Sequence, residues 1–162
     1  MAHTVSHGIA FGANLQIYKL HEDAKAPERA YSQAAGYDIF AYTKNPDGKL
    51  QTITVAPHAT RKVHTGISIK APQFHLCLAC SRSGLASRGI FLANAPGVID
   101  PDYTGEIICL VHNSSSQPAY IKHEDRIAQL LIVPCITVPV LEVSEAFDDT
   151  DRGNKGFGST GA

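Results

Sequence analysis

The sequence predicts an all-β fold, a sandwich or barrel of many short antiparallel strands with one short helix. Three observations predict it. Apolar residues alternate with polar ones at period two in several stretches. Glycine or proline punctuates the chain roughly every ten residues, as at Pro27, Gly48, Pro57, Pro72, Gly84, Gly97, Gly105 and Pro118. Only "SGLASRG", residues 83–89, has the character of a helix, with Ser83 as its expected N-cap.

The strands follow in order. In "TITVAP" Thr52 and Thr54 oppose Ile53 and Val55. In "RKVHTGISIKAP" Val63, Thr65, Ile67 and Ile69 share one face, and in "EIICLVH" Ile107, Cys109 and Val111 do. "HLCLAC" and "QLLIVPCITVPVLEV" are nearly continuous apolar runs, the pattern expected of strands buried on both faces. "NAPGVIDPDYTGEI", residues 94–107, reads as a hairpin bracketed by Gly97 and Gly105. No internal repeat interrupts this scheme. From Ser144 the acidic "SEAFDDTD" reads as a linker into a glycine-rich tail, "RGNKGFGSTGA", too poor in apolar side chains to fold alone.

Composition bounds the function. With 162 residues, 44% hydrophobic and 18% charged, the chain reads as one soluble globular domain. A net charge of −1 argues against a general polyanion binder, so no direct nucleic-acid contact is expected, and any anion must be met by locally gathered cations. No apolar run approaches the ~18 residues of a membrane span, and "MAHTVSHGIA" lacks the pattern of a signal peptide. Cys77, Cys80, Cys109 and Cys135 all sit in apolar runs and read as reduced and buried, which suits the cytoplasm or nucleus. Cys77 and Cys80 stand three apart on a strand, so they point to opposite faces and cannot converge on one metal. The eight histidines show no metal-ligand spacing.

Five stretches can carry chemistry. "SRSGLASRG" sets Arg82, Ser83 and Gly84 where a strand gives way to a helix; it reads equally as an anion cradle or a capped turn. In 94–107, Asp100 and Asp102 flank a turn before Tyr103. A carboxylate there can orient and deprotonate a water, and a planar ring beside it can pack a sugar or base; an ordinary turn is the plainer reading. In "EDRIAQLLIVP", Arg126 and Gln129 are three apart and should face opposite ways in a regular strand, one as an ion-pair partner and one toward a ligand. Asp38, in "AAGYDIFAY", lies in an apolar run and must be ion-paired, hydrogen-bonded or near a cation. The tail adds Arg152 and Phe157.

In this order, "AGYDIFA" (35–41), "SRSGLASRG" (81–89), "NAPGVIDPDYTGEI" (94–107), "EDRIAQL" (124–130) and "RGNKGFGSTG" (152–161) resemble the five motifs of the trimeric dUTPase family. The resemblance spans nearly the whole chain from about residue 15. It implies a jelly-roll domain over 15–143, followed by a linker and flexible active-site lid over 144–162; residues 1–14 fall outside the resemblance and are expected to be disordered. It further implies a homotrimer with three shared sites that hydrolyses dUTP to dUMP and pyrophosphate with Mg²⁺. By the same resemblance Asp100 activates the attacking water, and Asp38 holds magnesium through water. Arg82, Ser83, Gly84 and Gln129 cradle the phosphates. Asn94 and the backbone of Gly97, Val98 and Ile99 read the uracil edge, and Tyr103 packs under the deoxyribose. Arg152 reaches the γ-phosphate, Phe157 stacks on the base, and Gly158, Ser159 and Thr160 close on the phosphates. Arg126 is structural.

The chain departs from the pattern at Ser81, usually proline; at Thr104, usually basic; at Pro96, which stiffens the base-reading turn; and at Glu124 and Lys155, both usually glycine. None removes a catalytic group. Two other activities share the fold: dCTP deamination, which needs a glutamate base and lacks this tail, and a nucleotide-gated regulatory trimer.

Overall fold

Among the described residues ten strands build two sheets and a small ribbon, with one short helix. The computed structural model describes residues 14–150 and Gly153. Strands β1 (Gln16–Lys19), β4 (Ala59–Lys70), β8 (Glu106–Asn113) and β6 (Ile90–Leu92) form one sheet in the order β1-β4-β8-β6. The second has the order β2-β10-β5-β7, from β2 (Tyr37–Phe40), β10 (Arg126–Pro134), β5 (His75–Cys80) and β7 (Gly97–Ile99). β3 (Ile53–Val55) and β9 (Ala119–Ile121) pair as a two-stranded ribbon. All pairings are antiparallel. The expected all-β jelly roll is what the chain forms; its tail, Gly153 apart, lies outside the described residues.

The period-two faces pack as their pattern dictates. Val63, Thr65, Ile67 and Ile69 of β4 and Ile107, Cys109 and Val111 of β8 are all buried, joined in one core by Val55, Ile39 and Leu130. Within β4, four steps from His64 to Ser68 are matched by only two along β8, from Ile108 to Glu106. Gly66 sits in this bulge at φ 67°, against Ala24 and Tyr42. The Glu106 carboxylate holds it, accepting the N–H groups of Thr65 at 3.2 Å and Gly66 at 2.8 Å through Oε1, while Oε2 lies 2.7 Å from His64 Nδ1.

The four cysteines are free thiols, as read, but only Cys77 and Cys109 are fully buried. Burial pushes the Cys77 thiol up to about 11 and Cys109 up to about 12, so neither forms a thiolate at neutral pH. Among the described residues no helix is long and apolar enough to cross a membrane.

Four local expectations are corrected. The helix α1 covers only Ser83–Ala86, and its N-cap is Arg82, not Ser83. Arg82 is extended, and its carbonyl accepts from Leu85 and Ala86; Ser83 is therefore already inside the first turn. Residues 94–107 do not form a paired hairpin: β7 pairs with β5 and β8 with β4 and β6, so the segment crosses from one sheet to the other. The run after Pro134 is not a buried strand. The last ladder pair is Pro134 with His75, and beyond it no strand among the described residues pairs with this run. Ile136, Val138, Val140 and Leu141 are accordingly exposed. The fourth correction, at Arg126 and Gln129, belongs to the site.

Candidate active site

Two clusters of side chains gather the described motif residues. The first forms where β2, β10 and the end of β5 meet. Gln129 lies opposite Asp38 on one side and Cys80 on the other, which places it beside the segment leading into Arg82. Its Nε2 donates to the Ser81 carbonyl at 3.1 Å. Gly36 makes this fit possible, because a Cβ there would stand 2.9 Å from Gln129 Oε1. Asp38 is buried, as its apolar neighbours require, and is ion-paired: Arg82 Nε donates to Oδ1 at 2.9 Å, and Arg126 Nε lies 3.6 Å from Oδ2.

Arg126 and Gln129 therefore serve the same face, not opposite ones. The register shifts between Arg126 and Ala128, so Arg126 pairs with Phe40 while Gln129 pairs with Asp38. One extra residue in the strand reverses the alternation between them.

Asp38, Arg82, Ser83, Gly84 and Gln129 line one cavity of about 570 Å³, rimmed by the exposed Tyr31. The N–H groups of Ser83 and Gly84 head the first turn of α1 and have no intrahelical partner. The Ser83 hydroxyl makes no cap. A Cβ on Gly84 would meet open space, so the mouth of the cavity stays clear at this position. Unpaired N–H donors beside an arginine suit an anion.

The second cluster lies around β7, the edge strand of its sheet. Asn94, Gly97, Val98, Ile99, Asp100 and Tyr103 line a cavity of about 200 Å³. Gly97 pairs with Ala79 and sits under Asn94, where a Cβ would come within 3.1 Å of the amide nitrogen. Asp100, Pro101, Asp102 and Tyr103 make a turn closed by Tyr103 N–H donating to the Asp100 carbonyl at 3.1 Å. Pro101 in its second position presets φ. The Asp100 side chain is exposed and has no hydrogen bond or ion pair among the described residues. It is free to act on a ligand.

Tyr103 is held by its hydroxyl, which donates to the Glu106 carbonyl at 2.9 Å. Its ring lies over Gly105: a Cβ at that position would fall 2.5 Å from the Tyr103 oxygen. The absence of a side chain at Gly105 thus leaves room for the Tyr103 ring. The sequence marked it only as a turn boundary. Gly105→Ala is expected to push the ring aside and lower kcat/KM about 10²-fold, the scale of a ~1 Å misplacement. Steady-state kinetics beside an unchanged circular dichroism spectrum checks this.

Two more residues were not legible as functional. Glu106 anchors both the β4 bulge and, through its carbonyl, Tyr103. Ser81 accepts the Leu92 N–H on its hydroxyl at 3.0 Å and the Gln129 amide on its carbonyl, linking the two clusters. The departure from proline at this position therefore adds a hydrogen bond. The two cavities share no lining residue. Arg152, Lys155, Phe157, Gly158, Ser159 and Thr160 lie outside the described residues, as does residue 1–13 of the expected N-terminal segment.

Among the described residues no cluster of three or more histidine, cysteine or acidic side chains forms a metal cage. The donor set at Asp38 fits Mg²⁺ nonetheless. This ion keeps several waters and commonly takes one or two carboxylates together with substrate phosphates. Arg82 donates to Asp38 Oδ1; Oδ2 faces Arg126 Nε at 3.6 Å, an ion pair too long for a hydrogen bond, and so keeps lone pairs for a metal-bound water.

Known proteins resemble the chain throughout. It is 42% identical over 151 residues to a deoxyuridine 5′-triphosphate nucleotidohydrolase of Corynebacterium glutamicum, covering 92% of this chain and 95% of that one. A protein of the same name from Hydrogenobaculum sp. is 39% identical over 148 residues, covering 91% and 97%. The dUTPase of Staphylococcus bacteriophage 80alpha, solved with dUPNHPP, superposes with a TM-score of 0.76 at 28% identity, over 92% of this chain and 99% of that chain. A mutant dUTPase from phage phi11 of S. aureus, described with a coordinated structural Mg(II) ion, gives 0.72 at 25% identity, over 83% and 99%. A family model described as dUTPase matches residues 22–161, and by that match and these relatives the chain belongs to the dUTPase family.

Proposed function

We propose that the chain is a dUTP diphosphatase that hydrolyses dUTP to dUMP and pyrophosphate, keeping uracil out of DNA and supplying dUMP for thymidylate synthesis in the cytoplasm or nucleus. The observation that carries this reading is the β7 cavity, where a free strand edge, Asn94, Tyr103 and an unengaged Asp100 carboxylate meet. A strand edge offers N–H and C=O groups in alternation. Uracil presents acceptor, donor and acceptor along one edge; cytosine reverses the last two.

In this mechanism Asp100 takes a proton from a water as its oxygen attacks the α-phosphorus. The bond to the bridging oxygen breaks, and pyrophosphate leaves. Arg82, Gln129 and the N–H groups of Ser83 and Gly84 hold the phosphates. Tyr103 packs under the deoxyribose. Asp38 would hold Mg²⁺ through water, an ion that supplies positive charge against the triphosphate. Arg152, Phe157, Gly158, Ser159 and Thr160 close over the nucleotide. Arg126 stays structural and braces Asp38.

The separation of the two cavities supports a homotrimer with shared sites. The phosphate cradle of one chain would face the base reader of the next, and the tail of the third would cover both.

Pyrophosphate release from dUTP, dCTP, dTTP and UTP, with and without Mg²⁺, tests the reading. Buried polar groups left unpaired by the wrong base reject it strongly. The expected preference for dUTP in kcat/KM is about 10⁴-fold over dCTP, with dTTP and UTP also disfavoured by the tight turn and by Tyr103. Comparable turnover of dCTP would remove β7 as the base reader.

A further inference from the structure

A basic groove lies beside the phosphate cradle and meets it at Arg82. Its cavity, about 390 Å³, is lined by Arg82, Leu85, Arg88, Tyr120, Lys122 and Arg126 among others. Arg82 is common to this groove and the cradle. A second cavity of about 340 Å³ continues from it past Arg88 and Tyr120. Arg82 and Arg126 are committed to Asp38. Arg88 and Lys122 are exposed and have no acidic partner among the described residues; Arg88 Nε donates only to the Gly84 carbonyl. One acid, Asp125, lines the groove, and its carboxylate accepts the Lys122 backbone N–H at 2.7 Å. Tyr120 is 60% exposed between the two cavities. The groove thus offers two free cations, an apolar floor and an unpaired aromatic ring.

The chain carries the complement. In 144–149, "SEAFDD", Glu145, Asp148 and Asp149 are exposed with no ion-pair partner among the described residues, and Phe147 between them is 90% exposed. Acidic and aromatic groups alternate there over the length of a short groove.

We infer that the acidic linker of a second copy of this chain docks in this groove, its carboxylates on Arg88 and Lys122 and Phe147 beside Tyr120 and Leu85. The second copy, not the same chain, is indicated by the arm that precedes the linker. Ile136, Val138, Val140 and Leu141 leave their own domain exposed, so the arm is not packed on it. Eleven residues from Pro134 to Glu145 span at most roughly 40 Å, enough to reach a neighbour. The docked linker also solves a delivery problem. From Asp149 to Arg152 is three residues, roughly 10 Å, and the groove adjoins the cradle through Arg82. The linker would hold the tail at its place of action before substrate arrives. The inference rests on the trimeric reading above but not on the tail acting as a lid.

Carbodiimide cross-linking tests it, since it joins an amine to a carboxylate in direct contact. Two chains are co-expressed and purified by a tag on one. The tagged chain carries Lys122→Gln and a native linker. The other keeps Lys122 but has Glu145→Gln, Asp148→Asn and Asp149→Asn. Only a contact between copies can then join Lys122 to residues 145–149. The expected result is that cross-linked peptide in the mixed assembly, absent from either variant alone and lost in 1 M NaCl, where the Debye length falls to about 3 Å. A cross-link in the wild-type chain but not in the mixed assembly would place the linker on its own domain and overturn the inference. No such cross-link even in the wild type would leave the groove to another ligand. Truncation after Asp151 keeps linker and groove, so the cross-link should persist there. Retained turnover in that truncated chain would sink the lid; a missing cross-link would sink the groove.

Discussion

Asp100→Asn is expected to lower kcat for dUTP by about 10²–10⁴-fold, the usual contribution of a general base, while the fold and nucleotide affinity hold. The structural reason for expecting a clean result is local. The turn at 100–103 is closed by the Asp100 carbonyl, not by its carboxylate. The side chain is exposed and unbonded among the described residues, so an amide of the same shape disturbs nothing around it. Only the capacity to accept a proton is lost. The neighbouring Asp102 is also exposed on this turn, which makes it the natural control: Asp102→Asn should leave turnover within a few fold. Equilibrium binding of a non-hydrolysable dUTP analogue, measured beside the kinetics, separates the two contributions. Near-native turnover in Asp100→Asn would move the base elsewhere.

Truncation after Asp151 is expected to remove about 10²–10³ of kcat/KM, comparable to deleting a preorganised donor that meets charge developing in the transition state. The tail carries Arg152 and Phe157, and its glycines permit close approach to phosphates. Its loss should leave the melting temperature of the assembly nearly unchanged, because the buried core residues among those described lie between 24 and 130. Arg152→Ala should account for much of the loss. A truncated chain that turned over dUTP near the full-length rate would reduce the segment to a simple extension. Thermal melting and steady-state kinetics on the same preparation read both halves of the expectation.

The sequence carried the inward faces of β4 and β8 because alternation is a local signal that needs no knowledge of the partner. It pointed to the candidate site residues only through their motifs, since nothing local says that Asp38 meets Arg82 across 44 positions. What was hidden depends on pairing between distant segments. The bulge that turns Arg126 toward Asp38 exists only against β2. β7 pairs with β5, although proximity in sequence favoured β8. The end of β10 is set by where β5 begins, at His75, not by any loss of apolar character after Pro134. Gly105 looked like a turn glycine, and only the Tyr103 ring lying over it explains why no larger residue fits.

The surplus of two residues that β4 carries between His64 and Ser68 has a consequence for how the gene tolerates changes in length. Side chains alternate along a strand with period two. An insertion or deletion of two residues at this point keeps Ile67 and Ile69 facing inward, and only the size of the Gly66 bulge changes. A change of one residue swaps the face of both isoleucines with that of Ser68, whose hydroxyl donates to the Thr104 carbonyl, and it carries the Glu106 anchor out of register with the N–H groups it holds. The coding sequence here is therefore permissive to six-base indels and intolerant of three-base ones, although both keep the reading frame.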